Sequence, residues 1–257
     1  QLSDYFKVYK DDNHYAKHIK SNFGIKEVYV IPGNADMHEE VKSEMGRQAG
    51  HLLEDILYED AIVSVTGGST MANVSRAMHL LPFNVFFVPA RGGLGENMVY
   101  QANTIAASMA QQSGGYYTTL YVPDNVSEST YNTLLIEPSV VHTLEKIKQA
   151  NITIHGIGDA LKMAHRRQSS DEVIERLQHH QAVGEAFGYY FDAQGHVVQK
   201  VKTIGLQLED LESKDFIYAV AGGMSKGEAI KAYLSIAPKN TILITDEAAA
   251  KVILNKE

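Results

Sequence analysis

The sequence predicts an α/β fold: a doubly wound, mostly parallel sheet with helices on both faces and a small antiparallel hairpin lobe inserted. Three observations carry that expectation. Seven short apolar runs recur along the chain, amphipathic helical stretches lie between several of them, and several runs end in glycine-bearing turns. Near-continuous apolar runs belong to strands buried on both faces, and the stretches between them supply the crossovers a parallel sheet requires.

In chain order, Asp4 to Phe23 reads as a helix, and its abrupt start is what a piece of a longer protein would give. "EVYVIPG" from Glu27 is the first strand, and a helix follows over Met37 to Leu57. "AIVSVTGG" from Ala61 runs into Gly67 and Gly68, then Ser69 and Thr70 at a helix start. "NVFFVPARGG" from Asn84 ends at Arg91, Gly92 and Gly93, ahead of a helix over Asn97 to Ser113. "TTLYVPD" from Thr118 and "ITIHGIGD" from Ile152 are the next two strands. Ala186 to Leu206 breaks the pattern, because "FGYYFDAQGHVVQKV" alternates like a hairpin about a Gln194-Gly195 turn. "FIYAVAGG" from Phe216 reaches Gly222 and Gly223 before a helix over Lys226 to Ala237. "TILITDEAA" from Thr241 leads into a last helix whose N-cap is Asp246. No Pro- or Ser-rich linker divides the chain, so residues 1–257 read as one domain with an inserted lobe.

Composition excludes several classes. The chain has no cysteine, which removes disulfides, thiolate catalysis and Cys-ligated zinc. Its net charge of -8 and the absence of any basic run longer than His165-Arg166-Arg167 argue against direct binding of nucleic acid. No stretch has the roughly 20 apolar residues of a membrane helix, and the expected compartment is the cytoplasm. His14 and His18, one helical turn apart, and His179 with His180 carry no HExxH-type pattern, so no metal is expected. No cofactor is expected either.

The two Gly-Gly turns share one plan. Glycines between strand and helix let the backbone approach a ligand, while the N–H groups and dipole of the helix start favour an anion. The first turn offers Gly67, Gly68, Ser69 and Thr70; the second offers Gly222 and Gly223 with Lys226. Two phosphates, or one phosphorylated ligand held between strand ends, fit this arrangement.

The block "TGGSTMANVSRAM", with "FVPARGGLGENMVYQANTIAASMAQQSGG", "GIGDA", "GEAFGYYFDAQG", "AVAGGMSKGEAIKAYL" and "ILITDEAAAKVIL", resembles the effector-binding region of SorC-type bacterial transcriptional regulators. The resemblance covers most of the chain. It implies a Rossmann-like fold similar to that of the sugar-phosphate isomerases and deaminases. It also implies a phosphorylated-sugar effector, fructose 1,6-bisphosphate foremost, a homo-oligomer, repression of glycolytic genes, and operator DNA held by an amino-terminal domain not evident here. Read for such a ligand, Arg91 could fork two N–H groups onto one phosphate and Arg166 could serve the other. Gln101, Asp159 and Glu185 suit sugar hydroxyls, whereas Arg167 is expected on a solvated helix face and Tyr100, Tyr189 and Tyr190 in a core or interface. Met98, Ile105 and Met109 are expected to form an exposed stripe at a subunit contact. No catalytic residue is expected, because no acid–base pair stands beside either Gly-Gly turn; a sugar-phosphate isomerase or deaminase is the alternative.

Overall fold

Five-residue apolar segments are too short to stand alone, and parallel ones pair only across crossovers of a dozen or more residues. The computed structural model describes residues 13–94, 97–124 and 126–256 and shows how the chain meets that constraint. Its first half runs α1 (His14–Phe23), β1 (Glu27–Ile31), α2 (Glu39–Glu54), β2 (Ala61–Val65), α3 (Ser69–Ala77), β3 (Val85–Pro89), α4 (Ala102–Ser113), β4 (Tyr116–Tyr117), α5 (Glu128–Leu134) and α6 (Pro138–Gln149). The second half runs β5 (Ile152–His155), β6 (Gly158–Asp159), α7 (Ala160–Arg166), α8 (Asp171–His179), β7 (Gly184–Ala186), β8 (Tyr189–Phe191), β9 (Val197–Lys200), β10 (Phe216–Val220), α9 (Gly227–Ile236), β11 (Thr241–Asp246) and α10 (Glu247–Ile253).

Seven strands pair in the order β1-β11-β10-β5-β2-β3-β4, all parallel. Alternation along the strands feeds two cores. Ile217, Ala219 and Leu243 join Ile19, Val28, Tyr233 and Ala249 on one face. Tyr218, Val220, Ile242 and Ile244 join Met45, Leu53, Val63, Phe87, Ile105 and Met109 on the other. The doubly wound sheet that the apolar runs predicted is therefore present, and every residue of β11 is buried.

Three elements differ from expectation. The Thr118 run contributes no strand; the sheet ends two residues earlier in β4, because Tyr116 and Tyr117 pair with Phe86 and Phe87 before the chain turns away. The helix expected from Asn97 is a 3-10 turn, Met98–Tyr100, followed by α4, with the break at Gln101. The inserted lobe is a four-stranded antiparallel sheet, β6-β7-β8-β9, rather than a hairpin alone, since Gly158 and Asp159 pair with Glu185 and Gly184. Of the opening helix, His14–Phe23 is described and the expected start at Asp4 lies outside the described residues. Ile105 and Met109 are buried under α4, so only Met98 of the expected stripe is exposed. Among the described residues no helix is long and apolar enough to cross a membrane.

His155 ends β5 with no exposure, accepting from the Tyr233 hydroxyl at Nε2 (2.9 Å) and directing Nδ1 at the Gly156 carbonyl (2.9 Å). Burial pushes its pKa down to about 4. An unfolded histidine titrates near 6.5, so on acidification the unfolded chain takes the proton first. The stability held by neutral His155 is complete above about 6.5 and is lost as pH falls towards 4. Urea unfolding at pH 7 and pH 5 should therefore show the wild type losing about 2 kcal/mol more than His155→Gln. Equal losses would mean that His155 is not neutral in the fold.

Candidate functional site

β2 leads to β3 on one side of the sheet, whereas its neighbour β5 leads, through the antiparallel lobe, to β10 on the other. Connections that part in opposite directions leave a crevice at the carboxyl ends of the strands. A cavity of about 400 Å³ lies there, lined by Thr66 to Met71 after β2, Arg91 and Gly92 after β3, Gly156 to Asp159 after β5, and Lys226 after β10. Asn97, Tyr100, Gln101, Lys162, Arg166 and Glu185 add further polar groups to the lining.

The first Gly-Gly turn is open to this cavity. Gly67 lies under the 3-10 turn, and a Cβ there would come 2.5 Å from the Tyr100 carbonyl oxygen. Gly68 donates its N–H to that same oxygen (2.8 Å), with φ at 116° and open space where a side chain would stand. Its own carbonyl starts the ladder of α3 by accepting from Ala72. The N–H groups of Ser69, Thr70 and Met71 form the first turn, which has no intrahelical acceptors, and all three residues line the cavity. Thr66 links this turn to the β5 end, its Oγ1 accepting from the Gly156 N–H (3.3 Å).

The second turn is built alike and closed. Gly223, at φ 99°, donates to Asp246 Oδ2 (2.8 Å), and Ala35 donates to the same oxygen (2.6 Å). Ser225 donates its N–H and hydroxyl to Asp36 (2.7 and 2.9 Å), whose carboxylate fills the space beside Gly223. Gly222 packs against Met45 and Asp246. The anion in this cradle is thus the protein's own carboxylate pair, and neither glycine lines the cavity. Asp246 does cap α10, accepting from Ala249 (2.9 Å), as expected. Gly93 also misses the cavity, because its N–H is spent on the Val122 carbonyl (2.8 Å).

Four charges are buried together here, Arg91 and Glu185 in the lining and Asp124 and Arg167 behind it. Arg91 places Nε and Nη2 on the two oxygens of Asp124 (2.7 and 2.8 Å), leaving Nη1 3.4 Å from Glu185 Oε1. The expected fork on a phosphate is therefore spent on Asp124. Arg167 donates to Asp124 Oδ2 (2.8 Å), Glu185 Oε1 (2.8 Å) and the Tyr190 hydroxyl (2.7 Å). Its side chain is 1% exposed, which overturns the solvated reading. The residue continues the buried stripe of Ala160 and Ala164 at helical spacing, a signal present in the sequence, whereas Arg166 points off that stripe into the cavity wall. Asp124 gave no signal, since it belongs to a loop that reaches Arg91 only in the fold. Burial pushes the Glu185 carboxyl up, but Arg167, Arg91 and the Gly188 N–H outweigh it and hold the group below the ordinary carboxylate range.

The remaining residues gather as follows. Asp159 lines the cavity while its Oδ1 caps α7 through the Lys162 N–H (2.9 Å). Lys162, not anticipated, follows one turn before Arg166 on that helix. Burial lowers the Lys226 pKa first, and Arg166 lowers it further. Among the described residues, Arg91, Lys162, Arg166 and Lys226 against Asp159 and Glu185 leave the lining positive on an acidic chain. For the buried quartet, Arg167→Ala should cost about 3–5 kcal/mol in urea unfolding because it strands two carboxylates, whereas Arg166→Ala should stay within about 0.5 kcal/mol. Equal effects would contradict the assignment.

Comparison with known proteins identifies the family. The family model described as "Putative sugar-binding domain" matches residues 7–255. The central glycolytic genes regulator of Priestia megaterium is 48% identical over 239 residues, covering 92% of this chain and 70% of that protein. The Bacillus subtilis protein of the same name is 45% identical over 243 residues, covering 94% and 71%. The crystal structure of a "putative SorC family transcriptional regulator" from Enterococcus faecalis superposes with a TM-score of 0.88 at 45% identity, covering 94% of this chain and all of that one. With the family match spanning nearly every residue and both relatives covered for more than two thirds of their length, the chain belongs to the sugar-binding-domain family of SorC-type transcriptional regulators.

Proposed function

We propose that residues 1–257 are the effector-sensing domain of a repressor of glycolytic genes, and that the cavity takes a phosphorylated sugar, fructose 1,6-bisphosphate foremost. One observation carries the reading: a cavity of ligand size in which, among the described residues, four cations and two carboxylates meet the open first turn of a helix. The anion donors fall in two groups. The first turn of α3 follows β2 and Lys226 follows β10, and β5 separates these strands. Two interstrand spacings separate the two strands by about 10 Å, a span suited to a sugar carrying a phosphate at each end. Arg166 and Lys162 extend the Lys226 group. Between them, Glu185 presents Oε2 near Gly158, while Gln101 and Asp159 offer further partners for hydroxyls.

An isomerase or deaminase would need a group that exchanges protons in the cavity. Glu185 is held ionised by two arginines, Asp159 caps a helix, and among the described residues no histidine lines the cavity. These features favour binding over turnover. The readout then runs through subunit contacts to operator DNA, held by the amino-terminal domain that the resemblance implies, in a cytoplasmic homo-oligomer. Met98, Val99 and Tyr100 form an exposed apolar surface on the segment whose Tyr100 carbonyl holds Gly68, so ligand at the cradle bears directly on it.

Calorimetric titration with fructose 1,6-bisphosphate, fructose 6-phosphate, glucose 6-phosphate and dihydroxyacetone phosphate, followed by NMR, should show saturable binding without product, tightest for the bisphosphate. Lys226→Ala should weaken that binding by at least about tenfold with the fold intact. Unchanged affinity in the variant, or isomerised product, would refute the reading.

A further inference from the structure

The helices α2 and α3 touch along small residues, and this fixes where their carboxyl ends emerge. A Cβ added to Gly46 would meet Asn73 at 2.7 Å, and one added to Gly50 would stand 3.5 Å from the Ala77 methyl. Both helices run back from the cavity edge of the sheet, so their ends lie at the opposite edge. There His51 and Glu54, three residues apart in the last turns of α2, share one face, and His79 arrives just beyond α3. Glu54 accepts the His79 N–H at one carboxylate oxygen, and its other oxygen stands 3.2 Å from His79 Nδ1. The His51 and His79 rings are 5.4 Å apart between centroids.

We propose that His51, Glu54 and His79 form a site for a divalent transition-metal ion, Zn²⁺ foremost. One ligand atom from each of the three lies within 4.8 Å of the others. Tetrahedral Zn²⁺ with bonds of about 2.0–2.1 Å separates its ligands by about 3.3 Å, close to the Glu54–His79 spacing already present. The remaining spacings exceed this by at most about 1.5 Å, and the His79 side chain is 66% exposed and free to adjust. Two imidazoles and one carboxylate select borderline ions over Mg²⁺ or Ca²⁺, and three protein ligands leave a position for water. The HxxE spacing was visible in the sequence; the third ligand, 25 residues beyond Glu54, was not. The ion would staple the ends of α2 and α3, the helix whose other end is the open cradle. The site is independent of the effector reading.

The test is calorimetric titration of the untagged chain with ZnCl₂ in chelator-free buffer, with thermal unfolding in parallel. One equivalent should bind and raise the unfolding temperature. His51→Ala and His79→Ala should each weaken binding by at least about tenfold and abolish the thermal shift. A His14→Ala/His18→Ala double variant should bind as the wild type does. Absence of stoichiometric binding, or binding that survives in the His51→Ala/His79→Ala double variant, would overturn the proposal.

Discussion

Arg167, buried behind the cavity, binds Asp124, Glu185 and the Tyr190 hydroxyl at once, and through Asp124 and Glu185 it fixes Arg91. These residues come from the segment after β3, the loop beyond β4, the end of α7 and the antiparallel lobe. Three of those segments also bury apolar residues in one shared core, Ala90, Val122, Ala186 and Phe187 among them, and the charges add a polar tie at the cavity edge. Two arginines and two carboxylates sum to zero, so burial is tolerated only while all four partners stay in place. The consequence for ligand binding is that Arg91 and Glu185 are pre-set. On the proposed function, neither has to reorder its side chain when a sugar binds, which removes part of the usual entropic cost of binding.

The paired Gly-Gly turns show how one local plan yields two outcomes. Both place glycine at positive φ before a helix, and both turn N–H groups outward. At Gly223 those donors meet Asp246 and Asp36, so the turn serves as a lock between β11, the loop after β1 and the start of α10. At Gly68 nothing among the described residues stands within 4 Å of where a side chain would begin, and the donors face the cavity. What separates the closed turn from the open one is therefore the company that β1 and β11 bring to the second.

The sheet was legible because each buried strand is a run of apolar residues that parallel pairing covers on both faces, and Asp246 at the last helix was legible as a cap. Most of the cavity lining was legible too, because ligand crevices gather where strand ends carry glycines and Arg91, Asp159 and Lys226 sit at those ends. What stayed hidden depends on partners distant in sequence. Asp36 and Asp246 closing the second turn, Asp124 taking the fork of Arg91, and β6 joining β7 all require the fold to bring together segments with no local signature. Ile105 and Met109 read as a surplus apolar stripe because α4 is buried against both β3 and α3, more widely than one helical face suggests.

The claim that most of this rests on is a single cavity with two separated anion positions, one at α3 and one at Lys226. Phosphorus NMR of fructose 1,6-bisphosphate bound to the wild-type chain and to Lys226→Ala tests it directly. The account predicts two resolved bound resonances in the wild type, of which the variant moves one and leaves the other at the cradle of Gly68. Equal movement of both resonances, or a bound ligand with one phosphate unshifted from free solution in the wild type, would contradict it.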